Sequence, residues 1–189
     1  MATINVDAKQ IRQQSFGNYD GIDTMELQDG CVCCTLAEDL IASVSKLVSM
    51  SDIKNSKYDH IVVECSGIAE PRKIRDLFQQ AEDYGFELLK KIRLDTLITL
   101  VDATVFLNLF GTDEDIANNR KLAYNNDNEN YNYIDGSDQR KITDLLLEQV
   151  ECSDIVLINK CDLLENQSDI DLVKKVLLSF TFSDMLYII

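Results

Sequence analysis

The sequence of 189 residues is poor in positive charge and has no long apolar run. Eighteen lysines and arginines stand against thirty-three aspartates and glutamates, so the formal net charge is −15. Such an acidic chain repels the phosphates of nucleic acid and the anionic surface of a membrane. No apolar run approaches the ~20 residues of a membrane span, and the initial "MATINVDAKQ" has no apolar signal segment. We therefore expect no nucleic acid or membrane partner and a cytoplasmic location.

Histidine is nearly absent, whereas cysteine is not. The only histidine, His60, begins an apolar stretch, and this position favours a structural or surface role. Of the six cysteines, three crowd into "GCVCC" as Cys31, Cys33 and Cys34. This usage favours a reducing compartment and a metal or reactive-thiol site over a disulfide framework.

The cysteine cluster allows three interpretations. The thiolates of Cys31, Cys33 and Cys34 could converge on one soft cation such as Zn²⁺ or Cu⁺, leaving a coordination place open for water, a carboxylate or a receiving protein. A redox pair is weaker, because a disulfide between adjacent cysteines is strained. Buried, inert thiols are the third possibility. We favour the metal site.

Apolar runs and helical patterns alternate along the chain. The runs predict five strands, at Thr24–Leu27, His60–Glu64, Asp95–Asp102, Asp154–Asn159 and Met185–Ile189. The helical patterns begin at Thr35, at Pro71, near Ser137 and near Asp169. This alternation predicts a single α/β domain over residues 1–189, with a mostly parallel sheet covered by helices on both faces. The polar, asparagine-rich residues 111–136 predict a disordered insertion.

A polar motif follows one of the predicted strands. In "VLINKCDL" the apolar run ends in Asn159 and Lys160, and Asp162 follows. A carboxylate there can accept hydrogen bonds from N1–H and N2–H₂ of guanine, an edge that adenine lacks. Asn159 could bind the base or brace the loop, and the stem of Lys160 could cover the ring. The alternative is a polar turn in which Asp162 caps a helix, and we favour the guanine site.

A second acidic residue ends another predicted strand, in "IVVECSGIAEP". A carboxylate at the carboxyl end of a parallel strand is where nucleotide hydrolases hold hydrated Mg²⁺ or orient water, and Glu64 has that position. Gly67 would let its N–H approach a terminal phosphate, because glycine has no Cβ. Alone this signal is weak, since a glutamate that ends a strand is usually only solvated.

With these motifs in order, the chain resembles the CobW-type GTPases, a branch of the P-loop metallochaperones. The matching segments are "GCVCC", "ECSGIAEP", "LVDA" and "EQVECSDIVLINKCDL", and the resemblance covers nearly all 189 residues. It implies a P-loop NTPase-like fold and a GTP-dependent metallochaperone that delivers a transition metal to client proteins. Zinc is the favoured metal, with Co²⁺ or another transition metal as alternatives.

The resemblance also implies roles for individual residues. Glu64 and Gly67 would be the catalytic pair that attends Mg²⁺ and the γ-phosphate. Asn159, Lys160 and Asp162 would bind the guanine of GTP, and the three clustered cysteines would bind the transferable metal.

The chain departs from the family pattern in what it lacks. None of its seven glycines is followed by lysine, so it does not contain the Gly-x-x-x-x-Gly-Lys-Ser/Thr loop that binds phosphates. The family's first strand and C-terminal domain are absent as well. We expect these 189 residues alone not to hydrolyse GTP. Two alternatives stay open, a metal-binding or buffering module without nucleotide turnover, and a guanine-nucleotide switch whose cysteines are structural.

Overall fold

The computed structural model describes residues 35–65, 67–119 and 140–189. They fall into two compact units, one up to Val63 and the other from Glu64 onward. The helices are α1 (Thr35–Lys54), α2 (Pro71–Asp83), α3 (Phe106–Phe110), α4 (Ile142–Glu151) and α5 (Gln167–Leu177). The strands are β1 (Ile98–Asp102), β2 (Ile155–Asn159) and β3 (Leu186–Ile188). Short 3₁₀ helices span Glu87–Lys90, Ile116–Asn118, Cys161–Leu163 and Ser183–Met185.

Helix α1 is the main element of the first unit. Its apolar residues recur at helical spacing, and Leu40 and Val44 are buried, as the sequence pattern predicts. The helix ends at Lys54, and Asn55 follows it with a φ of 52°. Asparagine tolerates this left-handed conformation better than most residues, and it breaks the helical hydrogen-bond pattern.

Helix α2 begins and ends where the sequence predicts. Pro71 occupies its first turn, where the missing N–H costs no hydrogen bond. Gly85 follows the helix with a φ of 69°, and the N–H of Phe86 donates to the carbonyl of Ala81 at 3.0 Å. A glycine adopts this left-handed conformation without strain, so the chain can turn sharply away from the helix.

The second unit contains a three-stranded parallel sheet in the order β1-β2-β3. All three strands lie inside runs that the sequence predicts as strands, and the α/β class with a parallel sheet and flanking helices is confirmed. In the register of β1 and β2, Asp102 lies opposite Asn159. The polar residues that end the two strands therefore meet at one edge of the sheet, because parallel strands finish on the same side.

The core lies on one face of this sheet. Val156 and Ile158 of β2 are fully buried against Val173 and Leu177 of α5, which are also fully buried. Complete burial of such side chains contributes about 1.5–3 kcal/mol each. On β1 the alternate residues Ile98 and Leu100 are exposed, at 57% and 60%. Among the described residues, this face of β1 therefore has no buried side chain, and helix cover on both faces stays a prediction there.

The predicted strand His60–Glu64 is wrong. Residues 60–64 have no strand assignment, and no described strand pairs with them. Val62 is 91% exposed. A β-branched sequence fits a pleated sheet, but it becomes a strand only where a neighbouring backbone supplies hydrogen bonds. The predicted strand Thr24–Leu27 lies outside the described residues.

The first residues of the predicted insertion pack against the start of α4. Ile116 is buried with Ile142, and its N–H donates to the carbonyl of Arg140 at 3.0 Å. Lys141 pairs with Asp113 and Asp115, with both N–O distances at 3.2 Å. The rest of that segment, residues 120–136, lies outside the described part of the chain. Across the described helices, none combines the length and apolar character that a membrane span requires.

Candidate functional site

The candidate base site is built on the turn that follows β2. Lys160 has φ 62° and ψ 28°, a left-handed conformation that is uncommon for a residue with a Cβ. Its N–H donates to Oδ1 of Asn159 at 2.7 Å, and its carbonyl accepts from the N–H of Leu163 at 3.1 Å. The turn ends the strand and starts the 3₁₀ helix that contains Asp162, so the motif residues share one short, hydrogen-bonded loop.

Asp162 is exposed on this loop. Lys160 precedes the 3₁₀ helix that contains Asp162, and Asn166 precedes α5, so Asp162 caps neither helix. Within the described part of the chain no group donates a hydrogen bond to its carboxylate. The helix-capping alternative is therefore not what the structure has, and the carboxylate faces solvent.

Asp102 stands beside this loop at the end of β1. Its Oδ2 accepts a hydrogen bond from Nζ of Lys160 at 2.6 Å, while Oδ1 accepts from N–H and Oγ1 of Thr104 at 2.9 and 2.6 Å. Partial burial alone would raise the pKa of this carboxyl, but the bonds from Lys160 and Thr104 outweigh burial and lower the pKa below its ordinary value of 3.8. Asp102 is thus a fixed anion near neutral pH.

Glu64 and Gly67 lie in the segment before α2. Glu64 is exposed and follows the unpaired residues 60–63 rather than a strand. A Cβ built on Gly67 would meet no atom within 4 Å, so nothing in the described structure requires glycine there. No hydrogen bond or ion pair between described residues joins this pair to the loop after β2.

The segment after Gly67 is docked on α4. The side chain of Gln149 donates from Nε2 to the carbonyls of Gly67 and Ala69, at 3.0 and 2.9 Å. Ile68 packs against the buried cluster that includes Ile142. Two backbone carbonyls and one apolar side chain therefore fix this segment to a helix.

Two ion pairs also link Glu70, at the end of this segment, to α4 through Arg140. Arg140 lies between Glu70 and Glu148, with N–O distances of 3.5 and 2.7 Å. The three side chains are mostly buried, with exposed fractions of 23%, 19% and 11% for Arg140, Glu70 and Glu148. Partial burial shields these charges from water, so the pairs are stronger than fully exposed ones.

The cysteines divide between the described and undescribed parts of the chain. Cys31, Cys33 and Cys34, the predicted metal ligands, lie outside the described residues. Among residues 35–65, 67–119 and 140–189, no three metal-binding side chains come together.

The remaining three cysteines lie in the second unit. Cys152 and Cys161 are buried. Cys65 is exposed. The pKa of its thiol is nevertheless raised, mainly by desolvation and to a smaller extent by the negative charge of Glu64. A raised pKa keeps this thiol protonated and unreactive near neutral pH.

The sequence motifs assign no role to Asp102, Gln149 or Arg140. A signal existed for Asp102, because it ends a buried parallel strand as Asn159 does. Gln149 and Arg140 carry no such signal, since a glutamine on a helix and an arginine before one are common surface residues.

The chain matches the family described as "CobW/HypB/UreG, nucleotide-binding domain" over residues 1–184. It is 33% identical over 175 residues to "Zinc-regulated GTPase metalloprotein activator 1" of Dictyostelium discoideum, covering 88% of this chain and 34% of that protein. It is 29% identical over 144 residues to "Zinc chaperone CobW" of a Sinorhizobium species, covering 76% of this chain and 36% of the relative. The chain thus spans about a third of the length of these relatives.

A shorter match joins the chain to "Zinc chaperone YjiA" of Escherichia coli, with 35% identity over 77 residues, 41% of this chain and 23% of the relative. No solved structure matches the chain.

Proposed function

Because the chain belongs to the CobW/HypB/UreG family of nucleotide-binding domains, we propose that it is the nucleotide-binding part of a GTP-dependent metallochaperone that carries zinc to client proteins. The observation that supports nucleotide binding is the exposed carboxylate of Asp162. It lies on a loop at the carboxyl end of a parallel strand and caps no helix. The names of the relatives, a zinc chaperone and a zinc-regulated GTPase, support the proposed role in zinc delivery.

The chemistry of the loop suits guanine. Asp162 offers two acceptor oxygens to N1–H and N2–H₂ of the base, and adenine presents an acceptor at the first position and no amino group at the second. Oδ1 of Asn159 already accepts from the N–H of Lys160, so Asn159 braces the loop and keeps its amide donors for a ligand. The stem of Lys160 lies at the same strand end, where it would cover the ring.

Glu64 and Gly67 would serve the phosphates. The open space around the Cα of Gly67 fits a phosphate oxygen that approaches its N–H closely. Glu64 would hold hydrated Mg²⁺ or orient the attacking water, and the exposed side chain is accessible to either. When bound, Mg²⁺ supplies positive charge that offsets the charge of the phosphate oxygens.

The base assignment is tested by changing Asp162 to Asn in a form extended at the N-terminus to carry a phosphate-binding loop. The asparagine replaces one acceptor by a donor, which opposes guanine and suits xanthine, whose C2 carries an oxygen. We expect GTP affinity to fall about 10- to 100-fold and XTP affinity to rise, as the loss of one or two paired hydrogen bonds implies. Fluorescent-nucleotide titration measures both constants.

The control for that experiment is Asp171→Asn, which removes an exposed carboxylate on α5 outside the loop. It should leave the ratio of GTP to XTP affinity unchanged. If Asp162→Asn keeps the original preference for GTP, Asp162 does not read the base.

The proposed metal binding is tested on Cys31, Cys33 and Cys34. We expect about one Co²⁺ or Zn²⁺ per chain under reducing conditions, with thiolate charge-transfer absorption for Co²⁺. Affinity should fall as pH drops, because protons compete for thiolates whose ordinary pKa is about 8.5. Changing the three cysteines to Ser should abolish binding, whereas Cys65→Ser should not. Unchanged binding by the triple variant would place the metal elsewhere.

The alternative function is a metal-buffering module that binds metal without nucleotide turnover. The 189 residues themselves hold no lysine-bearing phosphate loop, since none of their seven glycines is followed by lysine. GTP binding by the extended form would support the metallochaperone, and absence of such binding with metal retained would support the buffer. GTP turnover by residues 1–189 alone would contradict our assignment of the phosphate site.

A further inference from the structure

We infer that Asp102 is a positioning residue of the guanine site, acting by holding the side chain of Lys160 where its stem covers the base. The inference rests on the proposed function, because it gives a role to a residue beside the same loop. It assigns to the end of β1 a part in nucleotide binding that the Asn-Lys-x-Asp motif does not include.

The contact is a direct one between two strand ends. Nζ of Lys160 donates to Oδ2 of Asp102 at 2.6 Å, although the two residues are 58 positions apart. The backbones are joined as well, since the N–H of Ala103 donates to the carbonyl of Asn159 at 3.0 Å. Strand pairing therefore fixes the distance between the carboxylate of Asp102 and the loop that carries Lys160. The ion pair thus joins two ordered strand ends and not two flexible surface segments.

The carboxylate is itself held in place. Its other oxygen, Oδ1, accepts from both N–H and Oγ1 of Thr104, so the side chain of Asp102 cannot rotate without losing two further hydrogen bonds. The carboxylate of Asp102 is thus a fixed acceptor, and the ammonium of Lys160 is a flexible donor. The ammonium of Lys160 sits on a four-carbon stem with many rotamers, and the contact selects those in which Nζ points toward β1.

Selection of these rotamers favours nucleotide binding. A stem that is already ordered loses less conformational entropy when the base arrives, and this preorganisation tightens affinity without adding a contact. The side chain of Lys160 is 49% exposed and that of Asp102 is 30% exposed, so water screens the pair in part. The expected effect is accordingly modest.

The test is a double-mutant cycle on GTP affinity in the N-terminally extended form. Asp102→Asn should weaken GTP binding about 3- to 10-fold. In a Lys160→Met background the same change should alter affinity less than about 2-fold, because methionine keeps an apolar stem but has no ammonium for Asp102 to hold. Asp113→Asn, which removes the exposed carboxylate that pairs with Lys141, is the matched control and should leave GTP affinity unchanged in both backgrounds.

The outcomes separate the inference from the proposed function. An equal loss in both backgrounds would mean that Asp102 only stabilises the turn to Thr104, and it would overturn the inference. Thr104→Val checks this directly, because a turn effect would reproduce the loss in both backgrounds. If Asp162→Asn shifts preference from GTP to XTP while Asp102→Asn has no effect, the inference alone fails. If Asp162→Asn shifts nothing, the guanine site itself fails.

Discussion

At the scale of single residues, the fold requires glycine at one position of the second unit and does not require it at another. Gly85 has a φ of 69°, so a side chain there strains the backbone, whereas Gly67 lacks both a positive φ and a close neighbour. We predict that Gly85→Ala destabilises the fold by about 1–2 kcal/mol. Gly67→Ala should leave the free energy of unfolding within about 0.5 kcal/mol of the original value, or raise it slightly. Urea denaturation measures both.

The Gly67→Ala variant, although stable, should be impaired in nucleotide binding. If Gly67 lets a phosphate approach its N–H, Gly67→Ala in the extended form should lower GTP affinity or turnover while stability is kept. Gly85→Ala at a temperature where the fold persists provides the comparison, and it should leave nucleotide binding unchanged. Equal GTP affinity and turnover before and after Gly67→Ala would show that no ligand group approaches that Cα.

The loop after β2 that holds Asn159, Lys160 and Asp162 could be predicted from sequence, whereas its contact with Asp102 could not. Asn159, Lys160 and Asp162 are close in the chain, and their spacing after an apolar run is a local pattern. The contact between Asp102 and Lys160 depends on which strands pair and in what register. No short stretch of sequence contains that information, because two strands that become neighbours are separated by a whole helical crossover.

At the scale of elements, the docking of residues 67–70 on α4 depends most on Gln149. Its amide donates to two carbonyls, and each such hydrogen bond contributes about 0.5–1.5 kcal/mol. We predict that Gln149→Leu lowers the free energy of unfolding by about 1–2 kcal/mol and speeds proteolysis or hydrogen exchange in residues 67–70. Ile68 and the Arg140 ion pairs should keep α2 and α4 themselves folded.

A glutamine elsewhere serves as the control for this variant. Gln79 is exposed on α2, so Gln79→Leu should change neither stability nor exchange at residues 67–70 by a measurable amount. Slow exchange at residues 67–70 in Gln149→Leu would show that Ile68 and Glu70 hold the segment without the amide.

Periodicity predicted helices more reliably than strands. A helix makes its backbone hydrogen bonds internally, so the pattern from Pro71 to Gly85 is sufficient to define α2. Residues 60–64 contain three consecutive apolar, β-branched residues, but a strand needs a partner that its own sequence does not specify. None of the described strands pairs with these residues. The strands that were predicted correctly each contribute to the core cluster that includes α5 residues: Val101, Val156 and Ile158 are buried in it, and Leu186 packs against it.

At the scale of the whole molecule, the excess of acidic residues opposes folding. A net charge of −15 repels itself more strongly in the compact state than in the extended chain. Raising salt from 0.01 to 0.15 M shortens the screening length from about 30 to 8 Å, so we predict that the free energy of unfolding rises by about 1 kcal/mol. Urea denaturation at the two salt concentrations measures it. A fall would mean that attractive pairs such as Arg140–Glu148 outweigh the repulsion.

The pairing of β1 with β2 also sets the order in which the molecule can assemble during synthesis. Asp102 leaves the ribosome long before Lys160, its partner 58 residues later. At translation rates of about 5–20 residues per second, that separation takes about 3–12 s. For this interval Ile98 and Leu100 belong to a nascent segment whose sheet partner has not been made, and this is when a chaperone that binds apolar extended chains has its access. A ribosome stalled shortly after residue 160 would present β2 still inside the exit tunnel and β1 unpaired outside it.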